Sequence, residues 1–151
     1  MCSSDLKKHN MGFVRIGTDV TRVTESEKFI KKAKECGMFV ASNYMKSYAL
    51  EPEKFAEKVK QSEKYGADMI YIVDSAGGMF PDDVKNYFNA IRKVSNIPIG
   101  FHGHDNLGLA ISNSLTAAEI GAEFIDSSLQ GLGRSSGNRS EEHTSELQSL
   151  A

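Results

Sequence analysis

The chain has 151 residues, of which 40% are apolar and 25% charged, with 18 basic against 20 acidic side chains. Those proportions belong to a globular domain able to bury one core, and they exclude disorder as the main state. A formal net charge of −2 excludes the basic surface that would hold nucleic acid or anionic membrane, so the expected substrate is small.

Along the chain, short apolar or β-branched runs at residues 13–17, 38–42, 69–73, 97–101 and 124–126 read as five strands. The segments between them carry helix signals. Thr24 with Glu27 three residues later predicts a capping box, and Pro52 and Pro81 stand where a first helical turn begins. Gly37, Gly66 and Gly121 are placed to end three helices. Continuous apolar strands separated by single helices predict an α/β fold with a parallel sheet covered on both faces. The strands begin about 25 to 31 residues apart, the repeat of an eight-unit barrel of about 250 residues. The expected architecture is therefore a partial (β/α)8 TIM barrel with about five consecutive units of the eight. A flavodoxin-like open sheet is the competing architecture. Asp19, Asn43, Asp74 with Ser75, His102 with His104, and Asp126 with Ser127 follow the runs. In a barrel such positions converge on one cavity. Neither GxGxxG nor a GxxxxGK[ST] phosphate loop occurs.

Both ends read differently from the rest. Residues 139–149 (RSEEHTSELQS) look like the translation of a sequencing-library adapter, and residues 1–6 (MCSSDL) like its opposite-end counterpart. Residues 1–6 and 139–151 are thus expected to be non-native and 7–138 to form the partial barrel; the alternative is a natural start and a natural polar tail. His143 lies in the suspect tail and takes no role. Cys2 and Cys36 form no CxxC pair, and Cys36 is expected to pack at a helix end. With no run of 18 apolar residues and no secretory signal pattern, the expected location is the cytoplasm.

The chemistry-bearing stretch is residues 97–109 (IPIGFHGHDNLGL). His102 and His104 stand two apart at a strand end, so their side chains leave the same face and can meet one ion. Neutral imidazole is the commonest protein metal ligand, and two leave positions for a carboxylate, water and substrate oxygens. A hydrogen-bonded core histidine or a general base is the competing interpretation of HxH. The strand-end position and the following Asp105 and Asn106 favour metal.

VDSAGGM (73–79), GFHGHDNLGLAISNS (100–114) and DSSLQGLGRSSGN (126–138) together resemble strand-end motifs of one metal-dependent TIM-barrel family. It groups 4-hydroxy-2-oxovalerate aldolases, 3-hydroxy-3-methylglutaryl-CoA lyase, and the isopropylmalate and homocitrate synthases, and is also called HMGL-like or the pyruvate carboxyltransferase domain. The resemblance covers nearly all of residues 7–138. It implies that His102 and His104 bind a divalent ion, Mn²⁺ first and otherwise Mg²⁺, Co²⁺ or Zn²⁺, with an aspartate from the barrel's first strand. That aspartate, its adjacent arginine and the base-bearing early loops have no counterpart here. The ion would stabilise the enolate formed as a carbon-carbon bond breaks or forms. Ser75 would donate to the substrate carboxylate, unless it serves as a turn cap. Asn138 would join or support the metal shell and bind substrate, on a loop that Gly131, Gly133 and Gly137 allow close to a ligand. Asp74 would orient a neighbour or hold a loop. Lys46 is expected to be a solvated loop lysine rather than a Schiff-base nucleophile. Asp126 is expected to be a structural aspartate bonded to backbone amides, with carboxylate ligation as the alternative.

Within the family, the loop GLGRSSGN lacks the cysteine of the CoA-lyase branch, and Leu132 and Gly133 precede Arg134 where the synthases carry an acidic residue. The aldolase branch fits best. The resemblance implies a lyase releasing pyruvate and an aldehyde from a 4-hydroxy-2-oxo acid such as 4-hydroxy-2-oxovalerate. An acetyl-CoA-dependent 2-oxo acid condensing enzyme or an HMG-CoA lyase-like enzyme is the alternative. The implied partners are the small 2-oxo acid and an aldehyde dehydrogenase subunit, in an oligomeric parent protein. The chain by itself is expected to be inactive.

Overall fold

The computed structural model describes His9 and residues 11–128. Asn138, the glycines of its loop and both suspect ends lie outside the described residues. Five strands, β1 (Phe13–Asp19), β2 (Phe39–Met45), β3 (Met69–Asp74), β4 (Ile99–Gly103) and β5 (Phe124–Ile125), alternate with helices α1 (Glu27–Glu35), α2 (Pro52–Tyr65), α3 (Pro81–Arg92) and α4 (Ala110–Glu119). Every neighbouring pair is parallel, and the order across the sheet is β1-β2-β3-β4-β5. A flavodoxin-like sheet requires the order 2-1-3-4-5. Sequential order is that of a barrel wall, so the open-sheet alternative falls.

Alternation along each strand sorts the side chains into two layers. Val14, Ile16, Val40, Tyr44, Ile70, Ile72, Ile99 and Phe101 face the helices and join the main core. Ala41, Met69, Tyr71 and Val73 form a second apolar cluster on the opposite, concave face. Strand β3, at the centre, is buried at all six positions, as a strand covered on both faces must be. The helices answer the outer layer with periodic apolar stripes: Phe55, Ala56 and Val59 on α2, and Val84, Tyr87, Phe88 and Ile91 on α3. Full burial of each large side chain contributes about 1.5–3 kcal/mol. Phe55 is packed edge-on between Tyr44 and Tyr87, at 5.3 and 5.2 Å between ring centroids.

Pro52 and Pro81 open α2 and α3 as expected. Gly66 caps α2 at φ 104°, while Gly37 and Gly121 lie one residue past the caps of α1 and α4, both at positive φ. The capping box at Thr24 does not form. Asp19 instead accepts the Thr21 N–H at 3.0 Å and opens a 3-10 segment, Val20–Ser26, that runs into α1. Thr24 is therefore already inside a helical turn, and Glu27 pairs with Lys31 at 2.5 Å. A cap of the expected kind occurs before α3, where Asp83 accepts the Phe80 N–H at 2.9 Å. Strand limits also shift. Met38 donates to Ala33 O and so belongs to the end of α1, and Pro98, lacking an N–H, precedes β4. Strands β1, β2 and β3 run further than the apolar runs, so Asp19, Asn43 and Asp74 are strand residues.

Candidate metal centre

β4 carries His102, and His104 follows it at the carboxyl end. Because Phe101 is committed to the helix-side core, the alternating His102 and His104 both leave the concave face. Their ring centroids are 5.1 Å apart with planes at 68°. His102 Nδ1 lies 2.8 Å from Asp126 Oδ2. Arg15 of β1 donates to the same Oδ2 at 2.7 Å and to Asn43 Oδ1 at 2.6 Å. Its guanidinium carbon sits 3.8 Å from the centroid of the Tyr71 ring, a cation–π contact. One polar layer thus crosses the concave face from the first strand to the segment after the last. Tyr71 is able to lie there because β4 has no side chain at Gly100; a Cβ would come 2.5 Å from Tyr71 Cε1.

The electrostatics follow from this layer. Burial acts to raise the Asp126 carboxyl, but the His102 hydrogen bond and the Arg15 charge outweigh it and hold the group below its ordinary range. Tyr71 is pushed up to about 12, chiefly by burial and then by the Asp126 charge. His104 is lowered, first by burial and then by His102, against a smaller upward pull from Asp74. Both effects favour the neutral imidazole that a metal requires.

A second group occupies the rim. Lys46, at φ 56°, donates its backbone N–H to Ser75 Oγ at 3.0 Å, and its ammonium lies 3.2 Å from Asp19 Oδ2. Asp19 is held down at about 2, mainly by the Thr21 hydroxyl and N–H and then by Lys46. Lys46 is an exposed, ion-paired loop residue, without the desolvation that activates a Schiff-base lysine. The Ser75 bond uses an oxygen lone pair and leaves the hydroxyl proton to be donated.

The remaining strand-end residues hold loops. Asp74 is fully buried on the helix side and accepts Gly78 N–H at 3.1 Å and Met79 N–H at 2.9 Å. It therefore does not join the concave cavity. Asp74→Asn leaves one oxygen for two amides, and about 1–3 kcal/mol of stability should be lost; denaturant unfolding measures it. Asp105 caps α4 through Ala110 N–H at 2.8 Å, and Asn106 donates to Ala76 O at 2.6 Å, so neither aims at an ion. Asp126 departs from expectation too: its carboxylate takes side-chain donors, His102 and Arg15, where backbone amides were expected. Arg15 and Tyr71 were not found from sequence. The available signal was a charged residue between Val14 and Ile16 inside a strand, which period-2 alternation turns toward the concave face.

Among the described residues no group of three or more His, Cys, Asp or Glu is arranged to hold a metal ion. The histidine pair nevertheless fits as part of a ligand set: a centroid separation of 5.1 Å is within the span across which two imidazoles share one ion with metal–nitrogen bonds of about 2.1 Å.

A family profile described as HMGL-like matches residues 11–145. The chain belongs to the HMGL-like family. The chain is 50% identical over 125 residues to the 4-hydroxy-2-oxovalerate aldolase of Geobacillus genomosp. 3, covering 83% of this chain and 37% of that protein. It is 47% identical over 125 residues to the enzyme of the same name from Carboxydothermus hydrogenoformans, with the same coverage. The chain thus spans a little over a third of the length of these curated relatives. Among solved structures, the HMG-CoA lyase of Brucella melitensis superposes with a TM-score of 0.83 at 17% identity, covering 97% of this chain and 62% of that one. That likeness bears out the partial TIM barrel. Among the described residues no helix is long and apolar enough to cross a membrane.

Proposed function

We propose that the protein to which this HMGL-like segment belongs is a divalent-metal-dependent aldolase that cleaves a 4-hydroxy-2-oxo acid, such as 4-hydroxy-2-oxovalerate, to pyruvate and an aldehyde. The observation that carries this reading is the pair of imidazoles, 5.1 Å apart on one concave face, in a family whose relatives at 50% and 47% identity bear that aldolase name. Cleavage removes the 4-hydroxyl proton, breaks C3–C4 to give the aldehyde and the enolate of pyruvate, and ends with protonation at C3. A bound divalent ion, Mn²⁺ before Mg²⁺, Co²⁺ or Zn²⁺, supplies the positive charge that stabilises this enolate.

The chain's own residues have distinct tasks. His102 and His104 would hold the ion. Ser75 would donate its hydroxyl proton to the substrate carboxylate, and Asn138, outside the described residues, would support the metal shell and bind substrate. The exposed aromatic layer of Phe13, Phe39 and Phe124, 44%, 40% and 50% accessible, supports the idea that further barrel units cover the concave face. We place the protein in the cytoplasm, with an aldehyde dehydrogenase subunit as partner in an oligomeric assembly.

The test is pyruvate release from racemic 4-hydroxy-2-oxovalerate by the full-length protein. Metal-stripped enzyme should be inactive, and Mn²⁺ should restore turnover. Turnover that persists undiminished in the stripped enzyme would reject the proposal. The 151-residue chain alone should release none, because its described residues supply no complete ligand set.

A further inference from the structure

We propose that Asp126 is a positioning residue that holds His102 as the Nδ1–H tautomer and so leaves Nε2 as the nitrogen that accepts a ligand. For the ligand to be a metal, the inference rests on the aldolase reading above; the hold on the ring does not.

The argument begins with the backbone. Phe101 pairs with Ile125 across β4 and β5, and the Asp126 N–H continues the ladder to Phe101 O at 3.0 Å. That register sets Asp126 beside His102 on the concave face. An ionised carboxylate has no proton to give, so the ring nitrogen facing it at 2.8 Å must be the one carrying hydrogen. Neutral imidazole has a single N–H, and fixing it at Nδ1 makes Nε2 the lone-pair nitrogen.

The carboxylate is itself held. Arg15 donates to the same Oδ2 from 111 positions away in sequence, Asn43 takes a second donor of that guanidinium, and Tyr71 lies beneath it. Four strands and the segment after the fifth therefore cooperate to fix one imidazole proton. A surface ion pair would be worth little for this purpose, but Arg15 and Asp126 are 32% and 19% exposed and anchored on both sides. Orienting partners of this kind tune ligand basicity as well as ring direction.

The experiment is a long-range proton–nitrogen correlation of the imidazole rings in the isotopically labelled chain, at about pH 8, above the ordinary imidazole range. His102 should be in the Nδ1–H form. Asp126→Ala should lose that preference, and Asp126→Asn, which keeps a carbonyl oxygen as acceptor, should restore it. A purely structural loss would not separate those two variants. Zn²⁺ titration of the same samples should show apparent affinity about 10–100-fold weaker in Asp126→Ala. An Nε2–H ring in the wild-type chain, or an unchanged Nδ1–H ring in Asp126→Ala, would overturn the proposal. If Asp126→Ala does not fold, the wild-type tautomer decides alone. An Nδ1–H ring that is lost in Asp126→Ala bears out Asp126's role even where the chain takes no Zn²⁺, because its described residues supply no complete ligand set.

Discussion

Replacing His102 with alanine in the full-length protein should lower the kcat/KM of metal-dependent pyruvate release about 10³-fold or more, the equivalent of about 4 kcal/mol of lost transition-state stabilisation. The size follows from what the side chain would do. His102 and His104 are the only imidazoles that the described concave face brings together, so losing either would weaken the hold on the ion that would stabilise the enolate charge. The variant should fold, because His102 is a partly exposed ring whose loss opens no sealed cavity. Circular dichroism and the unfolding midpoint therefore serve as controls. Activity of His102→Ala within a few-fold of wild type in the presence of Mn²⁺ would remove this residue from the metal set.

Gly77→Ala should cost about 2–5 kcal/mol of stability, the largest loss expected from adding a single methyl group to this chain. Gly77 has φ +62°, which an alanine adopts only with strain, and an added Cβ would lie 2.6 Å from Asn106 N and 2.8 Å from His104 O. Both contacts are backbone, so neither can swing aside. The same loop is stitched to the His104 segment by Leu107 N–H to Gly77 O and His104 N–H to Asp74 O, each at 3.3 Å. The substitution should therefore displace His104 as well as destabilise the fold, and metal affinity should fall together with the unfolding midpoint. An unfolding midpoint equal to that of the wild type in Gly77→Ala would show that the two loops do not approach this closely.

Much of the fold was legible because it is local. Pro52 and Pro81 mark helix starts through their fixed φ and missing N–H, and Gly66 marks a left-handed cap. The apolar runs needed no partner to be recognised as covered strands, and their spacing predicted sequential barrel order. What was illegible depends on distant pairing. Arg15 and Asp126 are far apart in sequence, and only the curvature of the sheet makes one arginine side chain long enough to join its two edges. Asp126 was expected to bind backbone amides, the default for an inward-facing strand-end aspartate, whereas its donors come from β1 and β4. The Thr24 cap failed for a local reason: Asp19 captured the turn first, a competition between two adjacent cap candidates that pattern alone does not rank. Asp105 and Asn106 adjoin the histidines in sequence, yet their bonds go to a helix start and to the neighbouring loop.

The histidine pair as one binding unit is tested most directly by anomalous diffraction from crystals of the full-length protein grown with Mn²⁺. A single strong peak should lie within about 2.3 Å of one nitrogen on each of His102 and His104, with Asp126 still bonded to His102 Nδ1. A manganese peak bound by other side chains, with both imidazoles turned away from it, would contradict the account.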